Sequence, residues 1–313
     1  MKKNCIASLI IAFTLILLNS NLLLSEQCIT QEQLEAEVLK ERKKWDINLD
    51  NQYGIEEIIY GLQLISALKN NQTWTNDFGM TFVLIQPGSF VMGSPESETG
   101  REQNEFQHSV TLTQAFYMQT TEVTQGQWKS VMGNNPSDFN SCGDDCPVET
   151  VSWEDAQEFI EKLNLHENTN RYRLPTEAQW EYSARAGTKT ALPNGDLAET
   201  GCNMDINLDA IAWYCGNADD KTHPVAQKQA NAWGLYDMHG NVWEWCQDWH
   251  GSYPINSVTD PEGPSSGTYR VTRGGSWDKY AQNCRSAGGR RDSNPSSRYW
   301  NNGLRILRTI EDQ

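Results

Sequence analysis

Short apolar runs separated by turn residues begin at Phe78 and predict strands. The stretch MTFVLIQPGSFVMGS has an apolar run on either side of Pro87 and Gly88, which predicts two short strands. The stretch HSVTLTQAFYMQTTEVT, beginning at His108, supplies further strand-forming sequence. This part of the chain is therefore predicted to be mostly sheet.

Three helices are predicted after these strands. Thr124, Ser152 and Thr176 each stand just before a run with helical spacing of apolar residues, where Ser and Thr are preferred helix caps. Gln127 and Gln179 follow Thr124 and Thr176 by three residues, which is the pattern of a capping box. Few periodic runs follow these helices. Strands, a few helices and a long irregular part together predict an α+β fold with much loop.

The N-terminal residues have the pattern of a secretory signal. Two lysines precede an apolar run from Ile6 to Leu18, and Asn19 interrupts it short of the ~20 residues that a membrane span needs. We predict a signal peptide over residues 1–27, a helical spacer over 28–74, and one domain over 75–313. The protein is thus expected to be exported to the bacterial surface or the periplasm.

The charge balance argues against nucleic acid as a partner. Asp and Glu number 41 against 25 Lys and Arg, a net charge of −16, and an acidic surface repels phosphate backbones. A local basic patch stays compatible with this balance.

Eight cysteines are consistent with an oxidising compartment. Cys5 lies within the predicted signal, and lipidation of Cys28 would tether the protein to a membrane and leave six others. Glu26 fits a lipoprotein signal poorly, so lipidation stays open. Cys142 and Cys146 are spaced for a small disulfide loop; zinc is the alternative, but no second Cys/His pair has matching spacing.

Seven motifs occur in one order along residues 76–310. They are PGSFVMGS, TTEVTQGQW, PVETVSWEDAQEF, YRLPTEAQWEYSARAG, NAWGLYDMHGNVWEWCQDW, RGGSW and NNGLRIL. Together they resemble the formylglycine-generating enzyme (sulfatase-modifying factor) domain family. The resemblance implies that family's α+β fold, which is an elaborated C-type-lectin-like fold.

The resemblance also implies a structural calcium ion in the GLYDMHGNVWEW motif. Two carboxylates and free carbonyl oxygens are ligands that calcium accepts. The alternative is that Glu244 pairs with a nearby arginine, Arg285 or Arg305. The implied ligands are the Asp237 and Glu244 side chains and the Gly240 and Val242 carbonyls.

The copper site of the family's oxidases is incomplete in this sequence. The resemblance implies two cysteines after the Gly-Gly-Ser motif, because paired thiolates bind copper(I). Only Cys284 follows that motif. Counted from Ser276 without gaps, it takes the second position and Lys279 the first, whereas aligned by Arg285 it falls on neither. A copper-dependent formylglycine-generating oxidase is therefore the alternative function and not the preferred one. Cys284 is predicted to form a disulfide with Cys246 or Cys215.

The resemblance also implies two further classes of protein. An iron-dependent branch of the fold needs a histidine cluster, and the five histidines include no close pair with metal-ligand spacing. A structural lipoprotein of a secretion or motility system would keep the same C-terminal residues in every copy.

The segment Arg273–Leu307 resembles the variable region of diversity-generating retroelement variable proteins. Framework residues such as Arg285 and Arg305 alternate there with Tyr, Trp, Ser, Asn and charged residues, as in antibody binding loops. We therefore predict a non-catalytic, receptor-like protein that binds a protein or a glycan. The predicted ligand-binding residues are Asp278, Lys279, Tyr280, Asn283, Gly289, Arg291, Asp292, Ser293, Tyr299, Trp300 and Asn301.

Overall fold

A computed structural model describes residues 73–310. The predicted signal peptide, nearly all of the predicted spacer, and Cys28 lie outside the described residues. Within residues 73–310, no helix has both the length and the apolar character to cross a membrane.

Twelve short strands and four α-helices are found in the described part of the chain. The strands are β1 (Thr73–Thr75), β2 (Thr81–Ile85), β3 (Gly88–Met92), β4 (His108–Leu112), β5 (Phe116–Gln119), β6 (Tyr172–Arg173), β7 (Trp243–Trp249), β8 (Val258–Thr259), β9 (Arg270–Arg273), β10 (Arg291–Ser293), β11 (Asn302–Gly303) and β12 (Leu307–Thr309). The helices are α1 (Gln125–Met132), α2 (Trp153–His166), α3 (Glu177–Arg185) and α4 (Ile206–Ile211).

These strands form three sheets, with the orders β1-β2-β5-β12-β6, β10-β9-β7-β11 and β3-β4-β8. The two strands predicted around Pro87 and Gly88 are confirmed, but they do not form a hairpin. β2 pairs with β1 and β5, whereas β3 pairs with β4 in a different sheet. β1 spans the predicted boundary between the spacer and the domain.

The three predicted helix starts are confirmed, and each carries a full capping box. The Thr124 and Thr176 hydroxyls accept from the N–H groups of Gln127 and Gln179, whose side chains in turn accept from the cap N–H groups. Ser152 forms the same arrangement with Asp155. These caps satisfy backbone donors that a helix start otherwise leaves unpaired.

Large aromatic side chains fill the core. Trp128 of α1 stacks on Phe159 of α2 with ring centroids 4.9 Å apart, and Trp180 and Trp245 are fully buried. Such side chains bury a large apolar area each and fix neighbouring elements in place. This core supports both ends of the segment Arg273–Leu307, because β9 and β12 are interior strands of their sheets.

Candidate ligand-binding surface

Arg273 anchors the backbone of the C-terminal segment. Its side chain is fully buried, and its two Nη groups donate to the carbonyls of Ser286, Ala287 and Gly288 at 2.9–3.1 Å. The guanidinium also pairs with Glu181. Because a buried arginine is costly without hydrogen-bond acceptors for its donors, these contacts favour one path for residues 286–288.

Arg285 connects the same segment to the loop between β3 and β4. It donates to both carboxylate oxygens of Glu105, at 2.6 and 2.9 Å, and to Glu98 at 2.6 Å. Burial alone would raise the pKa of Glu105, but the hydrogen bonds and charge of Arg285 outweigh it and lower that pKa. The loop is therefore fixed against the segment by a charge-assisted contact.

Arg290 makes the third anchor. Its guanidinium donates to both carboxylate oxygens of Glu177, at 2.7 and 3.1 Å, and lies 4.3 Å from the Tyr253 ring centroid. Arg273, Arg285 and Arg290 all have buried side chains. The backbone of the segment is thus held by groups that do not reach the surface.

Aromatic side chains of the same segment lie on the surface. Tyr280 is 57% exposed, Trp300 52% and Tyr299 37%. The guanidinium of Arg291 lies 4.9 Å from the centroid of the Tyr299 ring. Three exposed aromatic rings within one segment form a candidate interaction surface.

Asp278 joins the two loops that carry these rings. Its Oδ1 accepts from Asn301 at 2.9 Å and from Ser276 at 2.7 Å, and its Oδ2 accepts from Lys279 at 2.9 Å. Burial raises the pKa of Asp278, but these three hydrogen bonds outweigh it and leave that pKa lowered. The loops that carry Tyr280 and Trp300 therefore lie side by side.

Several predicted residues do not contribute exposed surface. Gly289, Ser293 and Asn301 are buried. Gly289 has φ +59°, and a Cβ there would lie 2.2 Å from the Asn283 carbonyl oxygen. Gly289 is therefore a framework residue and not an exchangeable one. Asn283 is half-buried, in a 3-10 turn over Ala281–Cys284.

Asp292 is exposed but lies on the other face of β10 from Arg291. Successive side chains alternate between the two faces of a strand. Arg291 contacts Tyr299, whereas the charge of Asp292 acts on His250. Leaving out Asn283 and Asp292, we name the other exposed or half-buried predicted residues the aromatic face. It consists of Asp278, Lys279, Tyr280, Arg291, Tyr299 and Trp300.

Of the residues implied for calcium, Asp237 and Gly240 lie in the turn before β7, with φ +56° and +84°, and Glu244 lies in β7 itself. Glu244 accepts from Arg305 on both oxygens, at 2.7–3.1 Å, and from Trp180 at 2.7 Å. Arg305, one of the two arginines considered from the sequence, is thus its partner. Asp237 Oδ1 has no hydrogen-bond partner in residues 73–310, so it is free to bind a cation. Glu244 could bind the same cation only if its contacts with Arg305 were broken. Calcium at this turn therefore stays a prediction.

Sequence reasoning missed Glu122, a third carboxylate beside this turn. It is fully buried, and its Oε1 has no hydrogen-bond partner in the described part of the chain. Burial, with Asp237 and Glu244 nearby, raises the pKa of Glu122 well above its usual range. Burial likewise raises the pKa of Asp237 to about 6. Glu122 stands in the motif TTEVTQGQW, but a single carboxylate among threonines has no metal-ligand spacing that would mark it as part of a site.

The predicted disulfide of Cys284 is wrong. Cys284 and Cys246 are both buried and free, and Cys215 pairs with Cys202. Burial raises the pKa of the Cys284 thiol to about 12. The Cys284 thiol packs against Gly275, since a Cβ added at Gly275 would lie 2.5 Å from the Cys284 Sγ. Cys284 therefore has a packing role in the core and no disulfide partner.

Two disulfides are present in residues 73–310. The predicted Cys142–Cys146 bridge is confirmed, and Cys202–Cys215 closes a second loop. That second loop borders the aromatic face, since the Cys215 N–H donates to the Lys279 carbonyl at 3.1 Å. Disulfides persist in oxidising compartments, which indicates an extracytoplasmic protein.

The chain belongs to the sulfatase-modifying factor enzyme 1-like domain family, which matches it over residues 69–310. The family and the α+β fold expected from the seven motifs are thereby confirmed. Chaperone protein LppX of Paenibacillus barcinonensis is 34% identical over 268 residues, 70% of this chain and 84% of that protein. The formylglycine-generating enzyme of Streptomyces coelicolor is 37% identical over 175 residues, 51% of each chain.

Two solved structures share most of the fold. Treponema denticola variable protein 1 has 32% identity and a TM-score of 0.67, covering 76% of this chain and 99% of that one. PvdO from Pseudomonas aeruginosa has 27% identity and a TM-score of 0.66, covering 77% and 99%. The similar proteins thus include a formylglycine-generating enzyme, a protein named a chaperone and a protein named a variable protein. Membership of the family alone therefore does not assign an activity.

Proposed function

We propose that this protein is an exported, non-catalytic ligand-binding protein whose aromatic face is the binding surface. One observation carries the proposal: within the segment Arg273–Leu307, the arginines that fix the backbone are buried, whereas the rings of Tyr280, Tyr299 and Trp300 are exposed. Arg273, Arg285 and Arg290 hold the backbone from inside. A rigid scaffold with side chains that its folding does not need is how loops acquire recognition.

The composition of the aromatic face supports recognition by shape. Tyr280, Tyr299 and Trp300 offer rigid apolar area with little conformational entropy to lose. Lys279 and Arg291 add positive charge beside them. Aromatic and arginine side chains dominate binding energy in many protein interfaces, and aromatic rings also stack on sugars, so the ligand is a protein or a glycan.

The oxidase alternative receives little support from the cysteines. Cys284 is fully buried with a pKa raised to about 12, and copper(I) needs a second thiolate beside it. Incubation with copper and a Cys-x-Pro-x-Arg peptide tests this alternative. We expect no aldehyde on the peptide; aldehyde formation would contradict the proposal.

Diversification of the segment by a retroelement is part of the proposal. The similarity to a protein named variable protein 1 supports it. We expect the coding region to lie near a reverse transcriptase gene and an adenine-rich near-copy of the stretch encoding residues 273–307. Sequencing the locus tests this point, and a locus with neither feature would remove diversification from the account.

Binding itself is tested on glycan and protein arrays. We expect the protein to bind at least one array member, and we expect the triple variant Tyr280→Ala, Tyr299→Ala, Trp300→Ala to lose that signal at an unchanged melting temperature. Phe106→Ala, which removes an aromatic ring that is 62% exposed elsewhere, is the matched control. Equal array signals from the triple variant and from wild type would show that the aromatic face is not the binding surface.

A further inference from the structure

A pocket of about 410 Å³ lies outside the segment Arg273–Leu307. The turn between β1 and β2, the loop before α1 and the small disulfide loop form its walls, and no residue of the aromatic face lines it. Its lining includes Phe78, Thr120, Thr121, Asp144, Asp145 and Val225.

The disulfide loop Cys142–Cys146 makes a fixed wall of this pocket. The Gly126 N–H donates to the Asp144 carbonyl at 2.9 Å, and the Val225 N–H donates to the Asp145 carbonyl at 2.9 Å. The loop is thus bonded to two other walls and closed by its own bridge. A wall held in this way is preorganised, which lowers the entropy cost of binding a ligand.

The pocket presents a surplus of hydrogen-bond acceptors. The Thr120 hydroxyl donates to the Thr81 carbonyl at 3.2 Å, and the Thr121 hydroxyl donates to the Glu122 carbonyl at 2.9 Å. Each hydroxyl has only one hydrogen, so both oxygens remain available as acceptors only. A ligand that is rich in donors would satisfy them.

The charge of the pocket selects a cationic ligand. Asp144 already pairs with Lys129 at 2.5 Å, whereas the exposed Asp145 carboxylate has no side-chain partner within residues 73–310. Phe78 and Val225 add apolar surface that suits a hydrocarbon stem.

We propose that this pocket binds a primary ammonium on a short apolar stem, as found in a lysine side chain, with Asp145 as its counter-ion. The ammonium has three donors and no acceptor, which matches the acceptor surplus of the walls. The site is separate from the proposed binding surface, so either proposal can fail without the other.

The probe is Nα-acetyl-L-lysine N-methylamide, titrated into the oxidised protein and followed by backbone-amide NMR. We expect saturable shifts at Thr121, Gly126 and Gln127. Asp145→Asn should weaken the affinity about fivefold, since a solvent-accessible ion pair contributes up to about 1 kcal/mol. The control Asp196→Asn removes an exposed carboxylate outside the lining and should leave the affinity unchanged.

A second variant fills the site without altering its charge. Val225→Trp should abolish the shifts, while the melting temperature reports that the protein is folded. The Nζ-acetylated form of the probe keeps the shape and loses the charge, so it should not bind. The proposal is overturned if that acetylated probe or sorbitol saturates the pocket equally well, or if Asp145→Asn behaves like Asp196→Asn.

Discussion

At the residue scale, Gly289 separates framework from exchangeable positions. It has φ +59°, and a Cβ would meet the Asn283 carbonyl oxygen at 2.2 Å and the Trp243 ring at 2.8 Å. Sequence composition alone placed Gly289 among the small residues of a binding loop. The structure assigns it a steric role, because a left-handed backbone and a close contact both require the absence of a side chain.

Gly289→Ala should therefore destabilise the fold by about 3 kcal/mol or more, from left-handed strain of 1–2 kcal/mol and the added clash. Urea unfolding measures this. The control is Gly234→Ala, at φ +78° with nothing within 4 Å of the added Cβ, which should cost only the strain. An equal loss of unfolding free energy in both variants would show that the close contact at Gly289 does not contribute to the destabilisation.

Asp248 makes stability depend on pH. Burial, with Glu177 nearby, raises its pKa to about 7, although the Glu177 N–H donates to it at 2.8 Å. A folded-state pKa above the unfolded value means that the folded protein binds more protons. The contribution of Asp248 is therefore most favourable below about pH 4 and is lost as the pH rises through about 7.

Asp248→Asn removes this titration while keeping an acceptor for the Glu177 N–H. We expect the variant to gain stability over wild type as the pH rises from 5 to 8, by about 1.4 kcal/mol per unit of pKa difference at most. Urea unfolding at both pH values measures the difference. A gap that stays constant between pH 5 and pH 8 would contradict the raised pKa.

At the element scale, ion pairs attach surface loops to the sheets with very different strengths. Arg285 and Arg298 each form a two-contact pair with a carboxylate, Arg285 with Glu105 and Arg298 with Asp155. The first arginine side chain is fully buried, and the second is 54% exposed. Solvent screens the exposed pair, whereas removal of one partner from the buried pair leaves an uncompensated charge.

Arg285→Ala should cost about 3–5 kcal/mol and release the loop between β3 and β4. Arg298→Ala, the matched control, should cost less than about 1 kcal/mol. Limited trypsin digestion measures the release, because Arg101 lies in that loop. The attachment is refuted if trypsin cleaves after Arg101 at the same rate in both variants.

The turn before β7 is the second element with a testable role. Calcium added to protein treated with a chelator should raise the melting temperature, since calcium at 100 times its dissociation constant adds about 2.7 kcal/mol. Asp237→Ala should remove that increase, and Asp260→Asn, an exposed carboxylate elsewhere, should keep it. An unchanged melting temperature would indicate that Arg305 alone is the cation of this turn.

At the scale of the whole molecule, the sequence predicts the family and the helix starts well, because motifs and caps are local. It does not predict β7 as a strand: WEWCQDW is buried on both faces for most of its length, so no alternation marks it. The short Cys142–Cys146 bridge was predicted correctly, but the predicted pairing of Cys284 was wrong. Long-range pairing depends on which loops meet in space, and that is not encoded by the spacing of Cys202, Cys215 and Cys284.

The exposure of the predicted ligand-binding residues could be predicted from the sequence only in part. Tyr280, Tyr299 and Trp300 are exposed as expected, whereas Ser293 and Asn301 are buried. Burial in a loop is decided by long-range contacts, such as the hydrogen bond from Asn301 to Asp278 across 23 residues. Residue type alone carries no record of such contacts.

Sequencing of residues 273–307 from many isolates of the source organism tests the central claim most directly. The account predicts that substitutions concentrate at the aromatic face, while Arg273, Arg285, Gly289 and Arg290 stay unchanged. The contrary result would be a segment identical in all isolates, or substitutions spread equally over buried and exposed positions.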